Sequence, residues 1–419
     1  MSSKRWRRWT AFAAAALLAG AGARAQLLPP LPADVGGVLN DVERTLGRTT
    51  EPVRATAREL ARDRVTRLRG LVRANPERLE MTDDGPALRG EVIAIDPAPA
   101  ALDGLRAAGF AAVGEERIEG LDIRAVTLRV PRGWSVDRAL SRLRRIAPET
   151  EFAANHLHLP SGGAAVAAGG GAAAAQGAGD GPAAIGIVDG GVAAHPALRG
   201  PVRQRGFARG APRASAHGTA VASLVAGQGA VRGAAPGTPL FVADVYGDDP
   251  AGGNAAAIAR ALGWLAQARV PVVAISLVGP SNPLVARAVA QARRRGMFIV
   301  AAVGNDGRAA PPAYPASYPG VIAVTGVDGR GRVLIEAGRA LHLDYAAPAA
   351  DMAAAAANGR LAAVRGTSYA APLVAGRLAH HVRGGRAIAA LDAEAEGRGR
   401  RGVGRGIVCG GCRTPLRRD

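Results

Sequence analysis

Three short peptides supply residue types that together can perform nucleophilic catalysis. Asp189 lies in Gly-Ile-Val-Asp-Gly-Gly, His217 opens His-Gly-Thr, and Ser368 lies in Gly-Thr-Ser-Tyr-Ala-Ala-Pro. A serine hydroxyl is a strong nucleophile only when a base removes its proton, and a histidine held by a carboxylate is such a base. The order Asp, His, Ser is one of the chain orders in which this constellation occurs. The pattern predicts acyl transfer through Ser368, with His217 as general base and Asp189 as the carboxylate that orients it.

Each of these residues also has an ordinary structural interpretation. A serine before a helix can cap it, a buried histidine is often structural, and an aspartate after a strand can be a turn or cap residue. The long motif around Ser368 and the continuation of the His217 motif to Gly227 favour catalysis. Asp189 directly follows an apolar run, which is where an open parallel sheet gathers its functional groups.

These motifs resemble those of the subtilisin-like (subtilase) serine peptidases, strongly over residues 182–408 and weakly before them. The resemblance implies that Asn305, in Ala-Val-Gly-Asn-Asp, donates its side-chain amide to the oxyanion. The backbone N–H of Ser368 would be the second donor, and a plain turn residue is the alternative for Asn305. One position departs from the family pattern, because Gly190 stands where Ser or Thr usually follows the aspartate.

The resemblance also implies the walls of the substrate cleft. Val278 stands where the family commonly has glycine, so we expect bulky side chains near the cut bond to be disfavoured. The alternative is that Val278 faces the core, since alternate strand residues face opposite sides. Ser276, Leu277 and Val278 resemble the strand along which an extended substrate lies, and Ala302, Val303 and Gly304 resemble the opposite wall of the first specificity pocket.

Short apolar runs alternate with helical stretches after residue 182, which indicates a parallel sheet covered by helices on both faces. The predicted fold class is therefore α/β, a doubly wound and mostly parallel subtilisin-like sheet, preceded by a small α+β propeptide-like domain. The expected strands are residues 185–188, 241–245, 272–276, 298–303 and 321–324.

Residues 88–158 form the small α+β domain, with strands expected at 91–95, 122–130 and 151–157. Helices are expected at 97–108 and 135–145, the second capped by Ser135. The position of this domain ahead of the catalytic motifs resembles that of the subtilase propeptide. The resemblance implies a ferredoxin-like fold that acts as a chaperone and intramolecular inhibitor, and a non-inhibitory accessory domain is the alternative.

The N-terminus is typical of a secretory signal, with Lys4-Arg5-Trp6-Arg7-Arg8, an apolar run over 11–21 and the small-x-small site Ala23-Arg24-Ala25. The run is shorter than the ~20 apolar residues of a membrane-spanning helix, so we expect export to the periplasm or the medium and no membrane span. The predicted segments are a signal peptide at 1–25, a Pro-rich and then helical segment at 26–80, the α+β domain at 88–158, an Ala/Gly linker at 159–181, the catalytic domain at 182–385, and an Arg/Gly-rich tail with a Cys-x-x-Cys motif at 386–419.

The net charge of +19 does not indicate a nucleic-acid partner. Lys4 is the only lysine, and the arginines form no basic stripe interleaved with aromatic residues. Adhesion to an anionic surface is the alternative use of this charge. With 48% hydrophobic but only 4% aromatic residues, the core must consist of Ala, Val, Leu and Ile.

No cofactor or metal is expected, because Asp248-Asp249 is too sparse for a calcium loop. Cys409 and Cys412 are the only cysteines, and in an exported chain they favour a local disulfide. Free thiols, or zinc bound together with two histidines, are the alternatives.

Together these patterns predict an exported serine endopeptidase that hydrolyses peptides or proteins through an acyl-enzyme and is cut between residues 158 and 180 during maturation. The alternative function is a catalytically silent subtilase-fold module that binds peptides.

Overall fold

A computed structural model describes residues 51–161 and 182–416, without the side chains of 51–55. The predicted signal peptide, the start of the Pro-rich segment and residues 162–181 of the predicted linker lie outside the described residues. No helix in the described ranges is long and apolar enough to cross a membrane.

The N-terminal region combines a long helix with a small antiparallel sheet. The sheet has the strand order β5-β2-β4-β3, with β1 paired to the start of β2. From β2 to β5 the order of elements is βαββαβ, which is the ferredoxin-like arrangement. The elements are α1 (Glu51–Ala74), β1 (Leu79–Met81), β2 (Pro86–Ile95), α2 (Pro99–Ala107), β3 (Ala111–Ile118), β4 (Ile123–Arg129), α3 (Val136–Ile146) and β5 (Glu151–His156).

Helix α3 shows how this small sheet is covered. Ser135 caps it by accepting a hydrogen bond from the N–H of Arg138 at 3.2 Å, as the sequence predicts. Its buried face, Val136, Ala139, Leu140 and Leu143, joins the sheet residues in one core. Strand β3 is not predicted by the sequence, because most of its residues are exposed and its Glu-Glu-Arg run lacks an apolar alternation.

The catalytic part is built on a seven-stranded sheet in which every strand pair is parallel. The strand order is β14-β13-β12-β10-β7-β9-β8. Its elements, after the short β6 (Leu159–Pro160), are β7 (Ile185–Asp189), β8 (Val202–Gly206), α4 (Ala216–Ala226), β9 (Leu240–Asp244), α5 (Ala255–Gln267), β10 (Val272–Ile275), β11 (Leu277–Val278), α6 (Pro283–Arg294), β12 (Phe298–Ala302), β13 (Ile322–Val327), β14 (Tyr345–Pro348), β15 (Met352–Ala355), β16 (Leu361–Val364), α7 (Ala370–Ala379) and α8 (Ala387–Glu394).

Helices cover both faces of this sheet, which confirms the predicted fold class. Ile185 and Ile187 share one core with α4 and α7. Gly186, which points the other way, lies against Leu265 of α5, whose methyl carbons would be 3.0 Å from a Cβ at that position. A glycine there lets the helix approach closely, and small side chains elsewhere keep the Ala-rich core dense.

Two edge strands are not predicted by the sequence. In β8 the residues from Val202 to Gly206 alternate between half-buried and exposed and include two arginines. β14 is short and consists of Tyr-Ala-Ala-Pro. β8 lacks the continuous apolar run of the central strands because an edge strand is covered less completely, whereas β14 is buried but too short and too rich in alanine to be recognised as a strand.

The predicted linker and the predicted C-terminal tail, which flank the predicted catalytic domain, both differ from expectation. Leu159 and Pro160, placed in the linker by their sequence, pair as β6 with β11. Much of the predicted Arg/Gly-rich tail packs on the domain, because α8 buries Ala387 and Leu391 in the core that it shares with α7, and the chain near Val408 is hydrogen-bonded to β14. Cys409 and Cys412 form the predicted disulfide.

Candidate active site

Asp189 and His217 meet at the carboxyl end of the central strand β7. Asp189 is the last residue of β7, and His217 lies in the first turn of α4. Both carboxylate oxygens lie 2.9 Å from His217 Nδ1. A carboxylate can only accept hydrogen bonds, so Nδ1 carries the proton and a neutral ring leaves Nε2 free to take another. The pair is almost fully buried, which protects it from competing water.

The glycine that departs from the family pattern has a packing reason. Ser215 caps α4, its Oγ accepting a hydrogen bond from the N–H of Gly218 at 2.9 Å. A Cβ on Gly190 would lie 2.4 Å from that oxygen. Gly190 therefore leaves the space in which Ser215 starts the helix that carries His217.

Ser368 lies in a 3-10 turn, Thr367–Tyr369, that leads into α7. Its Oγ and the Nε2 of His217 are buried and have no hydrogen-bond partner among residues 51–161 and 182–416. The ring of Tyr369 lies 5.4 Å from that of His217. The Oγ of Ser276 donates to the Ser368 carbonyl at 2.8 Å, so a neighbouring strand end holds the backbone of this residue.

Asn305 is held with its amide nitrogen pointing at the cleft. Its Oδ1 accepts from the N–H of Thr367 at 2.9 Å, and its Nδ2 donates to the carbonyl oxygen of Ser161. Gly366 has φ +137°, and a Cβ there would lie 2.8 Å from Nδ2 and 3.3 Å from the Ser161 oxygen. Only glycine fits this close approach.

The chain itself fills the cleft next to these groups. Residues 157–161 run as an extended segment between strand β11, with which they pair, and the loop before α5, where Leu157 bridges to Asn254. The N–H and the Oγ of Ser161 both donate to the Ser276 carbonyl, at 3.1 and 3.0 Å. The carbonyl group of Ser161 therefore lies on the Asn305 amide, beside the turn that carries Ser368.

The predicted cleft residues surround this segment. Leu277 is fully buried, whereas Val278 is half-buried and its methyl groups would lie 3.6 Å from a Cβ on Gly304. Val278 therefore faces the Gly304 wall and not the core. Ala302 and Val303 are buried, one at the end of β12 and the other just after it.

Two cleft residues, Tyr246 and Gly253, were missed by sequence reasoning, and together with Gly279, which follows the predicted substrate strand, they surround His158. The N–H of His158 donates to the carbonyl of Gly253 at 2.8 Å, and its own carbonyl accepts from the Tyr246 hydroxyl at 2.8 Å. A Cβ on Gly279 would lie 2.6 Å from the His158 ring. The only local hint is the Gly252-Gly253 pair before the helix-capping Asn254.

Burial controls the electrostatics of this cleft. Burial, with a smaller contribution from the Asp189 carboxylate, raises the pKa of Tyr369 to about 12 and that of Tyr246 well above its usual range. Both hydroxyls therefore stay neutral and can donate. Burial also lowers the pKa of His158 to about 4. Within the described ranges, no three His, Cys, Asp or Glu side chains lie together as metal ligands.

Comparison with known proteins identifies the family. The sequence model of the Subtilase family matches residues 181–385. Subtilisin BL from Lederbergia lenta is 33% identical over 204 residues, which are 46% of this chain and 74% of that protein. The chain belongs to the subtilase family.

Other relatives match this subtilase over less of their length. The major intracellular serine protease of Bacillus subtilis is 34% identical over 172 residues, 39% of this chain and 54% of the relative. The thermostable alkaline protease of Halalkalibacterium halodurans is 31% identical over 207 residues, 46% and 55% of the two chains. The chain thus spans about half the length of these two relatives.

Solved structures share the fold of this subtilase over most of its length. Fervidolysin from Fervidobacterium pennivorans, a keratinolytic enzyme related to subtilisin, aligns with a TM-score of 0.63 at 20% identity, over 80% of this chain and 62% of that one. The epidermin leader peptide processing serine protease of Staphylococcus aureus aligns with a TM-score of 0.57 at 16% identity, over 76% and 96%. At these identities the likeness concerns the fold alone.

Proposed function

We propose that this subtilase is a serine endopeptidase that cuts peptides or proteins through an acyl-enzyme on Ser368. The observation that carries the proposal is the seating of a peptide carbonyl, that of Ser161, on the Asn305 amide beside Ser368. The carboxylate-held His217 nearby supplies the base. The relatives named as proteases agree with this proposal.

His217 takes the hydroxyl proton of Ser368 through Nε2 and passes it to the leaving amine. Because Asp189 accepts from Nδ1 with both oxygens, it fixes the ring tautomer and stabilises the imidazolium that forms. Neither the Ser368 Oγ nor the His217 Nε2 has a hydrogen-bond partner among the described residues, so the two atoms are not bonded to each other here and neither is held by a competing contact.

The negative charge that develops on the attacked carbonyl is stabilised by the Asn305 amide and by the Ser368 backbone N–H. The Asn305 amide is already aimed by its bond to Thr367, so little reorganisation is needed during the reaction. The helix α7 begins right after this turn, and its N-terminal dipole favours the same charge.

The N-terminal region acts, in this proposal, as an intramolecular inhibitor. Residues 157–161 occupy the path that an extended substrate would take, and β5 is anchored on the helices behind it. Asn155 accepts from the N–H of Ala256 in α5 at 3.1 Å, and Asn282, the cap of α6, donates to the carbonyl of Ala154 at 2.8 Å. Substrates enter only after this segment leaves.

Export is proposed from the sequence of residues 4–25, which has the charged, apolar and small-residue parts of a secretory signal. Fractionation of cells that express the full chain, followed by N-terminal sequencing of the product, checks this point. A product that keeps residues 1–25 in the cytoplasm would contradict it.

The test of the proposed activity is active-site labelling. A fluorophosphonate probe should label the wild-type chain at Ser368 and should not label Ser368→Ala, and the variant should lose peptidase activity on casein. Residual activity within about tenfold of wild type would remove Ser368 from the mechanism. Absence of labelling in the wild type would instead favour a silent peptide-binding module.

A further inference from the structure

A second buried carboxylate lies beside Asp189 at the carboxyl edge of the sheet. Asp244 is the last residue of β9, it is fully buried, and in the parallel pairing of β7 with β9 it stands directly opposite Asp189. Paired strands lie ~4.8 Å apart, so the two residues are neighbours. The N–H of Val245 donates to the Asp189 carbonyl at 2.9 Å. The proposed mechanism uses Asp189 and gives Asp244 no role.

The carboxylate of Asp244 binds the backbone of two different loops. Its Oδ2 accepts the N–H of Arg213 at 2.7 Å, and its Oδ1 accepts the N–H groups of Tyr246 at 2.9 Å and Gly247 at 3.0 Å. Hydrogen bonds to an ionised carboxylate are about twice as strong as those between neutral groups. Removal of the acceptor would leave buried N–H groups unsatisfied, which is costly. Asp244 therefore joins the loop before α4 to the loop after β9.

The loop before α4 leads into the helix that carries the general base. Arg213 comes two residues before Ser215, which caps α4, and four before His217. This stretch runs beside the chain that follows Asp189, since the N–H of Ser215 donates to the Gly191 carbonyl at 2.8 Å. A Cβ on Gly191 would lie 2.5 Å from the Arg213 carbonyl oxygen, so the two segments are in contact. A backbone shift at Arg213 would therefore move the acid and the base of the triad relative to each other.

The loop after β9 forms one side of the substrate cleft. The Tyr246 hydroxyl donates to the His158 carbonyl of the segment in the cleft at 2.8 Å. The loop also contacts the loop before α4, because a Cβ on Gly247 would lie only 2.1 Å from the Arg209 carbonyl oxygen. Gly247 has φ +56°, a left-handed backbone that glycine adopts without strain. The two loops thus pack backbone to backbone next to the Asp244 carboxylate.

We propose that Asp244 is a positioning residue that sets the general base and the cleft wall relative to each other. It acts through its three backbone hydrogen bonds and takes no part in the proton transfers. Asparagine at this position keeps one acceptor oxygen and replaces the other by an amide that donates, so one of the two loops loses its hydrogen bond. The inference rests on the proposed peptidase function, because its effect is measured as turnover.

The test compares Asp244→Asn with the wild type on two substrates of different length. The ester p-nitrophenyl acetate is too short to reach the loop after β9, so it reports the placement of His217, whereas a long extended peptide reports both loops. Per active site, we expect kcat for the ester to fall by about 10-fold and kcat/KM for the peptide by about 100-fold. A loss below about threefold on either substrate, or a peptide loss no larger than the ester loss, would overturn the proposal.

Counting active sites separates positioning from stability. Both constants are expressed per site that a fluorophosphonate probe labels at completion, so chains that fail to fold or mature are not counted. A residue that only stabilises the fold would lower the number of labelled sites and leave the turnover of each site unchanged, which would overturn the proposal. If the wild type is labelled and active while Asp244→Asn turns over equally per site, only this inference fails. If the wild type is neither labelled nor active, the peptidase function fails with it.

Asp328→Asn is the matched control. The Oδ1 of Asp328 accepts the N–H groups of Arg330 and Arg332, both at 2.9 Å, in the turn after β13. The substitution therefore disturbs backbone hydrogen bonds of the same kind, and both constants per site should stay within about threefold of wild type. A loss comparable to that of Asp244→Asn would contradict the special role of Asp244.

A second variant, Gly247→Ala, covers the case in which Asp244→Asn gives no labelled sites. It leaves the buried carboxylate in place, and the new methyl group pushes the two loops apart at the Arg209 carbonyl. The peptide should again lose more than the ester, by about 10-fold in the ratio of the two constants. An unchanged ratio in Gly247→Ala would overturn the coupling of the two loops.

Discussion

Two segments of the N-terminal region contact neighbouring residues of the same catalytic loop, and they do so by different chemistry. The extended segment at 157–161 reaches Asn305 through a backbone carbonyl. Helix α1 reaches the next residue, Asp306, through the side chains of Arg64, at 3.2 Å, and Arg67, at 2.6 Å. Ala57 and Ala61 of the same helix pack on Ala309.

Of these two contacts, a substrate can replace the one made by the segment at 157–161 but not the one made by α1. Backbone groups and small pockets are available to any extended peptide, so the contact made by Ser161 is exchangeable. The ion pairs and the alanine packing of α1 depend on side chains that a peptide substrate in the cleft does not bring. We therefore expect the strand contact to control catalysis and the helix contact to control how firmly the N-terminal region stays attached.

The largest expected effect is on kcat, and it distinguishes the neighbouring loop residues Asn305 and Asp306. Asn305→Ala should lower kcat by ~10²–10³, because it removes the donor to the oxyanion. Asp306→Asn, which keeps the shape and breaks only the ion pairs of α1, should change kcat by less than about threefold. The measurement is turnover of a peptide substrate by both variants. Similar losses in the two would show that the whole loop, and not the Asn305 amide, sets the rate.

A substitution at Gly253 tests the contact between residues 157–161 and the side of the cleft opposite β11. Gly253 has φ +71°, and a Cβ there would lie 2.3 Å from the His158 carbonyl oxygen. Gly253→Ala should therefore reduce kcat/KM by about 100-fold through misplaced substrate.

Gly296→Ala is the matched control for Gly253→Ala. Gly296 has a similar φ of +83° with nothing within 4 Å of its Cβ position. Both variants should lose about 1 kcal/mol of folding free energy through the left-handed backbone, Gly253→Ala should lose more in the uncut chain because of its clash with the His158 carbonyl, and only Gly253→Ala should lose activity. An active Gly253→Ala enzyme would mean that substrates bypass this wall.

The stability of the uncut chain should fall in mild acid. Burial lowers the pKa of His158 to about 4, and burial with His158 nearby lowers the pKa of His156 to about 3. The unfolded chain binds protons below pH ~6.5 while the folded chain does not, so stability is full above that pH and decreases as pH falls towards 4. The Tyr246 hydroxyl, which also faces this segment, stays neutral throughout because burial raises its pKa.

The contribution of His158 can be isolated in the uncut Ser368→Ala protein. Between pH 7 and pH 5, His158 should account for about 2 kcal/mol of the loss in unfolding free energy. Denaturant titrations of Ser368→Ala and of Ser368→Ala with His158→Phe give the two pH slopes. Identical slopes would mean that His158 is protonated at no cost in the folded chain.

Val278 sharpens the description of the first pocket. Because its methyl groups lie opposite Gly304, Val278→Gly should raise kcat/KM for peptides with an aromatic residue before the cut bond relative to those with a small one, by about 10-fold. A second peptide pair, with an aromatic or a small residue at the fourth position before the cut bond, should show a smaller change in this ratio. If neither ratio moves, Val278 does not line the pocket.

The smallest effect belongs to the helix contact. A double-mutant cycle of Arg64→Ala and Asp306→Ala, in the Ser368→Ala background, should give a coupling energy of about 1 kcal/mol in the unfolding free energy. The value should decrease in high salt, since part of the pair is exposed. A coupling near zero would assign the attachment of α1 to the Arg67–Asp306 pair and the alanine packing.

Local sequence predicts much of the fold, where local patterns are strong. The central strands follow from their apolar runs, and Ser135 is predicted as a helix cap because capping depends on residues within one turn. The edge strand β8 and the exposed β3 escape prediction, since partial exposure removes the apolar pattern, and the buried β14 escapes because its Tyr-Ala-Ala-Pro run is short and lacks β-branched residues. The packing of α8, with Leu391 fully buried, is missed because glycine and arginine dominate the sequence after it.

The sequence by itself determined the chemistry expected of this subtilase, because Asp189, His217, Asn305 and Ser368 lie in motifs whose residue types and chain order already specify a reaction. What these side chains contact depends on the tertiary structure. That Ser161 sits on Asn305, that two glycines enclose His158 and that α1 holds Asp306 all join residues far apart in the chain. The Ser161 contact uses a backbone group that every residue carries, and the other two depend on packing and ion pairs between distant segments, so no local pattern predicts them.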